Sequence, residues 1–254
     1  MQAPRAPPPA SASANRRTAA LLLDVDGVIL HAPRALGRVA QRARDYVQRE
    51  LGLTDHRYAT RVNKLLYSQH GHTLLGLRKV FGVPLSTRHF ADAVYDAETL
   101  ALLRAEENRM DFQWRAQEAR GVLLRAAELG APVFLFTNAP KSWAKIVYDA
   151  AKLSQYLPES HILASDHPLF ANSLKPDPAV YENLADHLRD QGVVPPVPEA
   201  TRGRLVFVDD SYANLAPVLS DPNWRSVHYS ANGPTIQTQR LTTVKRLSEV
   251  RNVL

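Results

Sequence analysis

The pattern of hydrophobic and polar positions divides the chain into short apolar runs and longer amphipathic stretches. The runs are almost continuously apolar, which is typical of strands buried on both faces of a parallel sheet. Each run leads into a turn or into the start of a helix. We therefore predict five strands, at 20–25, 132–136, 161–164, 204–208 and 225–229.

Amphipathic helices follow the second and third of these strands. In both helices, apolar residues recur at the i, i+3, i+4, i+7 spacing of one helical face. Pro140 and Pro178 lie at the predicted helix starts, where proline is tolerated, and Asp177 is suited to be an N-cap. The apolar positions are Trp143, Ile146, Val147 and Ala150 in the first helix, and Tyr181, Leu184, Ala185 and Leu188 in the second. The alternation of strands and helices predicts an α/β fold with a Rossmann-like, doubly wound parallel sheet, and it assigns Trp143 to the core.

The interval between the first two strands is too long for a simple crossover. More than a hundred residues separate them, whereas a crossover with its helix needs only a few dozen. The interval reads as helices at 35–51, 57–68, 73–81, 87–103 and 108–129. We therefore expect an inserted, all-helical cap at 32–110 and a core formed by 19–31 and 111–254.

Composition narrows the class of protein. Of 254 residues, 45% are hydrophobic and 22% are charged, which is typical of a globular chain, and no apolar run approaches the length of a membrane span. The absence of cysteine excludes disulfides, a thiolate nucleophile and thiolate-ligated metal. The net charge of +6 includes three tail arginines, and no basic stripe with interleaved aromatics is present. We therefore expect no nucleic-acid polymer and no membrane as partner.

Two segments have the composition of exposed chain. Residues 1–18 are rich in Pro, Ala and Ser without hydrophobic periodicity, which predicts a flexible tail. The tail has no secretory signal pattern, so we expect a cytoplasmic protein; its arginines and its lack of acidic residues leave organelle import as an alternative. Residues 190–203 contain three prolines and two glycines and are predicted to be an exposed loop.

Polar residues follow the predicted strands at the places where ligands of such sheets bind. Asp24-Val25-Asp26-Gly27 ends the first strand, Thr137-Asn138-Ala139 follows the second, and Asp209-Asp210-Ser211 ends the fourth. Lys175-Pro176-Asp177 lies after the third strand and before a helix. We expect these four segments to meet at one edge of the sheet.

Four carboxylates at one edge would repel one another unless a cation lies among them. Oxygen-only ligands favour Mg²⁺ over zinc or copper. A magnesium ion beside a lysine, a hydroxyl group and turn amides suits a phosphoryl group, because phosphoryl transfer depends mainly on positioning and charge neutralisation. A carboxylate can itself be the nucleophile and form an aspartyl-phosphate. The residues thus indicate phosphoryl chemistry with Mg²⁺ as cofactor.

The four segments, in this order, resemble the motifs of the haloacid dehalogenase (HAD) superfamily, and the insertion resembles the family's helical C1 cap. The resemblance implies that Asp24 is the nucleophile and that Asp26 is the general acid and base. It also implies roles for the remaining motif residues. Mg²⁺ would be held by the side chains of Asp24 and Asp209, by Asp210 directly or through a water, and by the Asp26 carbonyl, and the phosphoryl group by Thr137, Asn138, Ala139 and Lys175. The family's dehalogenases lack the second Asp, so the resemblance implies a phosphohydrolase.

A narrower resemblance lies in the cap. The stretch 67–77 is similar to a cap motif of HAD pyrimidine 5′-nucleotidases, which implies a nucleoside 5′-monophosphate as substrate. The candidate substrate contacts are Tyr67, His70, His72, Thr73 and Arg78. For Arg78, a solvated helix face is an equal alternative to an anion contact. The pair His70 and His72 also has a spacing that binds transition metals, although loop histidines more often make hydrogen bonds.

Three other functions remain open at this point. A phosphosugar or phosphoglycolate phosphatase would use the same core motifs. A sugar phosphomutase would pass the aspartyl-phosphate to another hydroxyl group, and sequence motifs separate it poorly from a phosphatase. A HAD-fold binding protein without turnover is the third, against which the complete set of Asp24, Asp26, Lys175 and Asp209 argues.

Overall fold

The fold is known from a computed structural model that describes residues 18–170, 173–194 and 204–254. Its strands form one parallel sheet in the order β3-β2-β1-β4-β5-β6. The strands are β1 (Thr18–Leu23), β2 (Val133–Phe136), β3 (Ile162–Leu163), β4 (Arg204–Asp209), β5 (Trp224–Tyr229) and β6 (Leu241–Val244). The predicted α/β class with a doubly wound parallel sheet is confirmed.

The central strand β1 fixes the geometry of the site. Leu21 pairs with Val133 of β2 on one side, and Leu22 pairs with Phe207 of β4 on the other. The residue after β1 continues this register, since Asp24 N–H donates a hydrogen bond of 2.9 Å to the Val208 carbonyl oxygen. The carboxyl ends of β1, β2 and β4 therefore lie side by side.

The strands differ from the prediction at the start of β1 and in the presence of a sixth strand. Thr18, assigned to the tail, is the buried first residue of β1, and its hydroxyl donates a hydrogen bond of 3.0 Å to the Leu254 carbonyl oxygen. The sixth strand was not predicted, because Thr242 and Thr243 interrupt its apolar pattern although both are buried. The rest of the predicted tail, 1–17, and most of the predicted loop, 195–203, lie outside the described residues.

The helices follow the predicted order, with one exception. The prediction of a single helix at 87–103 is wrong, because the first helix ends at Val94 and Tyr95 is its C-cap. Asp96 then begins a new helix as its N-cap, and its side chain accepts hydrogen bonds from Thr99 N–H (2.9 Å) and the Thr99 hydroxyl (2.7 Å). The helices are α1 (Pro33–Glu50), α2 (His56–His70), α3 (Thr73–Phe81), α4 (Thr87–Val94), α5 (Ala97–Glu106), α6 (Met110–Glu128), α7 (Lys141–Ala150), α8 (Pro178–Asp190) and α9 (Tyr212–Leu215), with 3₁₀ turns at Leu153–Gln155, Glu159–His161, Pro168–Phe170, Ala216–Val218 and Leu247–Asn252.

Apolar clusters fill both faces of the sheet, and a third lies within the inserted helices. Helices α6 and α7 cover one face, and α8 covers the other. In the third cluster, residues of α1 to α4 such as Tyr46, Leu77 and Phe90 pack together. Leu174, from the segment before α8, joins this cluster, so the helical cap rests on the chain next to Lys175. None of the helices in the described ranges combines the length and apolar character that a membrane crossing requires.

Candidate active site

Asp24 begins the site at the carboxyl end of β1. Its side chain is buried, and Oδ1 accepts a hydrogen bond of 2.8 Å from Val25 N–H. Burial raises the pKa of Asp24 well above its ordinary value; Lys175 opposes this rise, and repulsion from Asp209 adds to it. The charged form of Asp24 therefore depends on cations close by.

The buried ammonium of Lys175 joins two strand ends. Its Nζ lies 3.1 Å from Asp24 Oδ1 and 2.7 Å from Asp209 Oδ2. It also donates a hydrogen bond of 2.8 Å to the Phe136 carbonyl oxygen. Burial lowers the pKa of Lys175, but the two carboxylates outweigh burial and hold this pKa above its ordinary value. Lys175 is therefore a fixed positive charge beside the Asp24 carboxylate.

Three carboxylates form the candidate metal centre. Asp24, Asp209 and Asp210 each offer one oxygen, and these oxygens lie within 4.8 Å of one another. Asp209 Oδ1 is held by Ser211 N–H (2.8 Å) and by the Asn214 side-chain amide (3.0 Å). Burial and the neighbouring Asp209 raise the pKa of Asp210 to about 6. One ammonium does not balance three carboxylates, and a donor set made only of oxygens fits Mg²⁺.

Gly27 allows the carboxylates of the candidate metal centre to lie close to the end of the first strand. Its φ of +78° lies in the left-handed region, and a Cβ atom there would overlap the Asp210 carboxylate. Only glycine combines this backbone conformation with this close approach. The Asp26-Gly27 pair thus contributes to the site in two ways. Asp26 supplies a carboxylate, and Gly27, which has no side chain, leaves room for the Asp210 carboxylate.

Asp26 lines the same cavity as Asp24 and receives a hydrogen bond from the core. Its Oδ1 accepts a bond of 2.8 Å from the Trp143 indole N–H. Burial raises the pKa of Asp26 to about 6, although the bond from Trp143 lowers it. A carboxyl group that titrates near neutral pH can both donate and accept a proton.

The turn after β2 is connected to the lysine segment. The Asn138 side-chain NH₂ donates a hydrogen bond of 2.8 Å to the Lys175 carbonyl oxygen, and its Oδ1 accepts a hydrogen bond of 2.9 Å from Lys175 N–H. Thr137 Oγ1 accepts a hydrogen bond of 3.1 Å from Ala139 N–H, so the proton of the Thr137 hydroxyl remains available to another acceptor. Thr137, Asn138 and Ala139 all line the cavity. Hydrogen bonds therefore hold the segment 137–139 and the segment that begins at Lys175 in a fixed relation.

A cavity of about 620 Å³ lies between these residues and the helical cap. One wall of it is apolar and comes from α1 and α4, and another is polar and comes from α2 and α3. The cap residues that line it are Leu36, Val39, Ala40, Ala43, Asn63, Lys64, Tyr67, Ser68, Gly71, His72, Thr73, Phe90 and Tyr95. The cavity thus combines a charged floor with a mixed apolar and polar roof.

Of the candidate substrate contacts, the structure brings Tyr67, His72 and Thr73 to this cavity. Arg78 and His70 do not line it. Arg78 donates hydrogen bonds to the Leu85 carbonyl oxygen (2.8 Å) and the Thr87 hydroxyl (3.2 Å), which join α3 to the start of α4. His70 packs toward α3, where Gly76 leaves room for its ring.

Sequence reasoning missed three kinds of residue at the site. Trp143 is fully buried, as predicted, but its N–H reaches Asp26. Asn63 accepts a hydrogen bond of 2.8 Å from the Thr73 hydroxyl inside the cavity. Phe90 and Tyr95 line the apolar wall. For Asn63, a usable signal was its position one helical turn before Tyr67, which places both on one face of α2.

Comparison of the sequence with known proteins finds one matching family. The sequence model of the haloacid dehalogenase-like hydrolases matches residues 18–217. No match was found among curated proteins.

Solved structures share the fold across nearly the whole chain. A HAD hydrolase, family IA, variant 3, from Entamoeba histolytica aligns with a TM-score of 0.55 at 14% identity and covers 91% of this chain and 94% of its own. A HAD phosphatase from Thermococcus onnurineus aligns with a TM-score of 0.50 at 18% identity, with coverage of 92% and 96%. A dehalogenase with an intermediate complex aligns with a TM-score of 0.52 at 18% identity, with coverage of 93% and 97%. At these identities the likeness concerns the fold alone.

Proposed function

The chain belongs to the haloacid dehalogenase-like hydrolases, and from this premise we propose that it is a Mg²⁺-dependent phosphomonoesterase that works through an aspartyl-phosphate. The observation that carries the proposal is the place of Asp26. A second carboxyl group, two residues after Asp24, lines the same cavity and offers an acid and a base to a leaving group and a water. The resemblance described above ties this second Asp to phosphohydrolases rather than to dehalogenases.

The proposed reaction has two steps. In the first, an Asp24 carboxylate oxygen attacks phosphorus, the bond from phosphorus to the leaving oxygen breaks, and Asp26 gives that oxygen its proton. In the second, water attacks the phosphorus of the aspartyl-phosphate, Asp26 accepts a proton from it, and the bond to Asp24 breaks. Inorganic phosphate leaves, and both carboxyl groups return to their starting states.

The remaining core residues stabilise charge. Lys175 places its ammonium 3.1 Å from Asp24 Oδ1, so that it offsets charge where the nucleophile meets the phosphoryl group. The Thr137 hydroxyl and the amides of Asn138 and Ala139 are proposed to bind phosphoryl oxygens. Mg²⁺ would be held by Asp24, Asp209 and Asp210 together with the Asp26 carbonyl, and would neutralise the negative charge of the phosphoryl group.

The cap is proposed to select the substrate. We divide the chain into a core, which includes Thr18 of β1 and comprises 18–31 and 111–254, and a cap of 32–110. The cap lies over the cavity and is proposed to exclude water during the reaction. Phosphate and metal are common to all phosphomonoesters, so discrimination must come from the cap. Tyr67, His72 and Thr73 are the proposed contacts, now joined by Asn63 and Phe90.

A nucleoside 5′-monophosphate is the favoured substrate. The apolar wall with Phe90 and Tyr95 suits a flat base, and the polar wall with Asn63 and Thr73 suits its hydrogen-bonding groups. The support is the chemistry of the walls together with the resemblance of the stretch 67–77 to pyrimidine 5′-nucleotidases.

The test is a phosphate-release screen over nucleotides, sugar phosphates and phosphoglycolate, with Mg²⁺ or with chelator. We expect activity only with Mg²⁺ and the highest kcat/KM on a nucleoside monophosphate. Asp24→Asn should lower kcat at least ~10³-fold, because an amide is not a nucleophile toward phosphorus. Asp186→Asn, an exposed carboxylate on α8, is the matched control and should match wild type.

Distinct outcomes separate the alternatives. Full activity in chelator, or a tenth of wild-type kcat in Asp24→Asn, would refute the phosphatase proposal. A requirement for a bisphosphate activator would instead mark a phosphomutase. A sugar phosphate or phosphoglycolate as best substrate would refute only the nucleotide assignment.

A further inference from the structure

Trp143 lies in the first turn of α7, close behind the turn that holds Thr137. Its side chain is fully buried. Its backbone N–H donates a hydrogen bond of 3.0 Å to the Pro140 carbonyl oxygen at the start of the helix. The indole Nε1–H donates to Asp26 Oδ1 at 2.8 Å, across 117 positions of sequence. A buried tryptophan needs an acceptor, and a backbone carbonyl would suffice for stability. Here the acceptor is a carboxylate that lines the catalytic cavity.

The bond leaves the two Asp26 oxygens in different situations. Oδ1 is engaged by the indole, whereas Oδ2 has no hydrogen-bond partner within 18–170, 173–194 and 204–254. A carboxyl group held by one oxygen cannot rotate freely about its terminal bond. The second oxygen is thereby kept in one direction and available for proton exchange.

The indole is itself held from the cap side. The Tyr95 ring meets Trp143 edge-on, with the ring centroids 5.2 Å apart and the planes at 70°. Tyr95 lines the cavity between the end of α4 and the start of α5. The cap thus contacts the indole that holds Asp26, and the orientation of Asp26 depends on both parts of the fold.

We propose that Trp143 is a positioning residue, which holds the Asp26 carboxyl through Oδ1 so that Oδ2 exchanges the proton with the leaving group. The proposal rests on the proposed function, in which Asp26 is the acid and base. It adds to that function a residue outside the motif positions, acting through Asp26 rather than on the substrate.

Two substitutions separate the hydrogen bond from the bulk of the side chain. Trp143→Phe keeps an aromatic ring without a donor. Trp143→His keeps a five-membered ring attached at the same atom, so its Nε2–H can occupy the place of the indole N–H. Trp114→Phe, which alters a half-exposed tryptophan of α6, is the matched control. Thermal unfolding shows whether each variant is folded.

The readout is kcat/KM on phenyl phosphate and on p-nitrophenyl phosphate. The value of kcat/KM reports the steps up to formation of the aspartyl-phosphate. The two esters differ in their leaving groups: p-nitrophenolate leaves without needing a proton, whereas phenolate leaves more readily when it receives one. We expect Trp143→Phe to lose about 10-fold or more on phenyl phosphate but less than about 3-fold on p-nitrophenyl phosphate. Trp143→His should recover most of the loss. Equal losses on both esters, or no recovery with histidine, would overturn the proposal.

Asp26→Asn, alone and combined with Trp143→Phe, distinguishes this proposal from the function on which it rests. If Trp143 acts through Asp26, adding Trp143→Phe to Asp26→Asn should change kcat/KM by less than about 2-fold. A further 10-fold loss in the double variant would overturn the positioning role. If Asp26→Asn alone keeps wild-type kcat/KM on phenyl phosphate, the proposed function fails. If Asp26→Asn is severely impaired while Trp143→Phe equals wild type, only the present inference fails.

A measurement that needs no change at Trp143 guards against a misfolded variant. In protein with ¹⁵N-labelled tryptophan, three indole signals are expected, from Trp114, Trp143 and Trp224. The Trp143 indole proton should lie downfield in wild type and move upfield in Asp26→Ala, while the other two remain in place. An unmoved Trp143 signal would contradict the hydrogen bond on which the proposal depends.

Discussion

At the scale of single residues, burial decides the protonation of His72. Its Nδ1 accepts a hydrogen bond of 3.2 Å from Leu74 N–H and so caps α3, and its ring packs against Phe90. Burial, together with the positive charge of Arg78, lowers the pKa of His72 to about 4. The residue is therefore a neutral part of the cavity wall at neutral pH.

This shift predicts a pH-dependent loss of stability. Between pH 6.5 and about 4 the unfolded chain binds a proton at His72 that the folded chain does not, so folding weakens as pH falls through this window. The effect is about 1.4 kcal/mol for each pH unit. His72→Asn, which can still cap α3, should remove that slope. Urea unfolding at pH 7, 6 and 5 measures it, with exposed His56→Asn as control; equal slopes in wild type and His72→Asn would contradict it.

Single residues also show where sequence reasoning reached its limit at the site. Asp24, Thr137 and Asp209 end adjacent strands, and the ends of parallel strands lie together whatever their spacing in sequence. Their proximity was therefore predictable. The bond from Trp143 to Asp26 was not, because hydrophobic periodicity places a side chain in the core without saying which polar group its N–H meets.

At the scale of elements, Asp96 determines where two helices divide. As N-cap of α5 it accepts two hydrogen bonds from Thr99, and it forms an ion pair with Arg42 of α1. We predict that Asp96→Ala destabilises the protein by about 1–2 kcal/mol, the usual effect of losing a cap. Urea unfolding measures this change. Asp92→Ala on α4, whose pair with Arg88 is exposed, should stay within about 0.5 kcal/mol of wild type, and an equal loss in both would refute the capping role.

The same element explains an error of the sequence analysis. The apolar spacing continues from α4 into α5, so periodicity alone predicts one helix at 87–103. The Asp96-to-Thr99 cap was a local signal for a new helix start, but it lay inside a pattern that the apolar residues kept regular. The missed strand β6 has the opposite cause, since buried Thr242 and Thr243 read as polar although they pair with β5.

At the scale of the whole molecule, the site joins segments that are remote in sequence. Strand order reverses at β1, where β2 lies on one side and β4 on the other, and ligands of such sheets bind at this crevice. Asp24, Thr137, Lys175 and Asp209 come from four separate segments. A cation held there would connect the halves of the sheet.

Magnesium should therefore stabilise the entire fold. At about ten times its Kd, Mg²⁺ adds about 1.4 kcal/mol, which raises Tm by roughly 2–4 °C in a protein of this size. Asp210→Asn should reduce the shift, because it removes one ligand while preserving shape. Differential scanning calorimetry with and without Mg²⁺ measures the shift, and Asp186→Asn is again the control. An undiminished shift in Asp210→Asn would exclude Asp210 as a ligand.

The close approach of Gly27 to Asp210 has a consequence for how this chain can vary. Gly52 and Gly82 also have positive φ angles, but open space surrounds the position where their Cβ would lie, so asparagine should be accepted there. At Gly27 every other amino acid would have to displace the carboxylate of Asp210, which belongs to the candidate metal centre. All three glycines have a positive φ angle. In a library of random variants selected for function, we expect substitutions to be recovered at Gly52 and Gly82 but not at Gly27. Gly27 is therefore a position where selection acts on an absence of atoms.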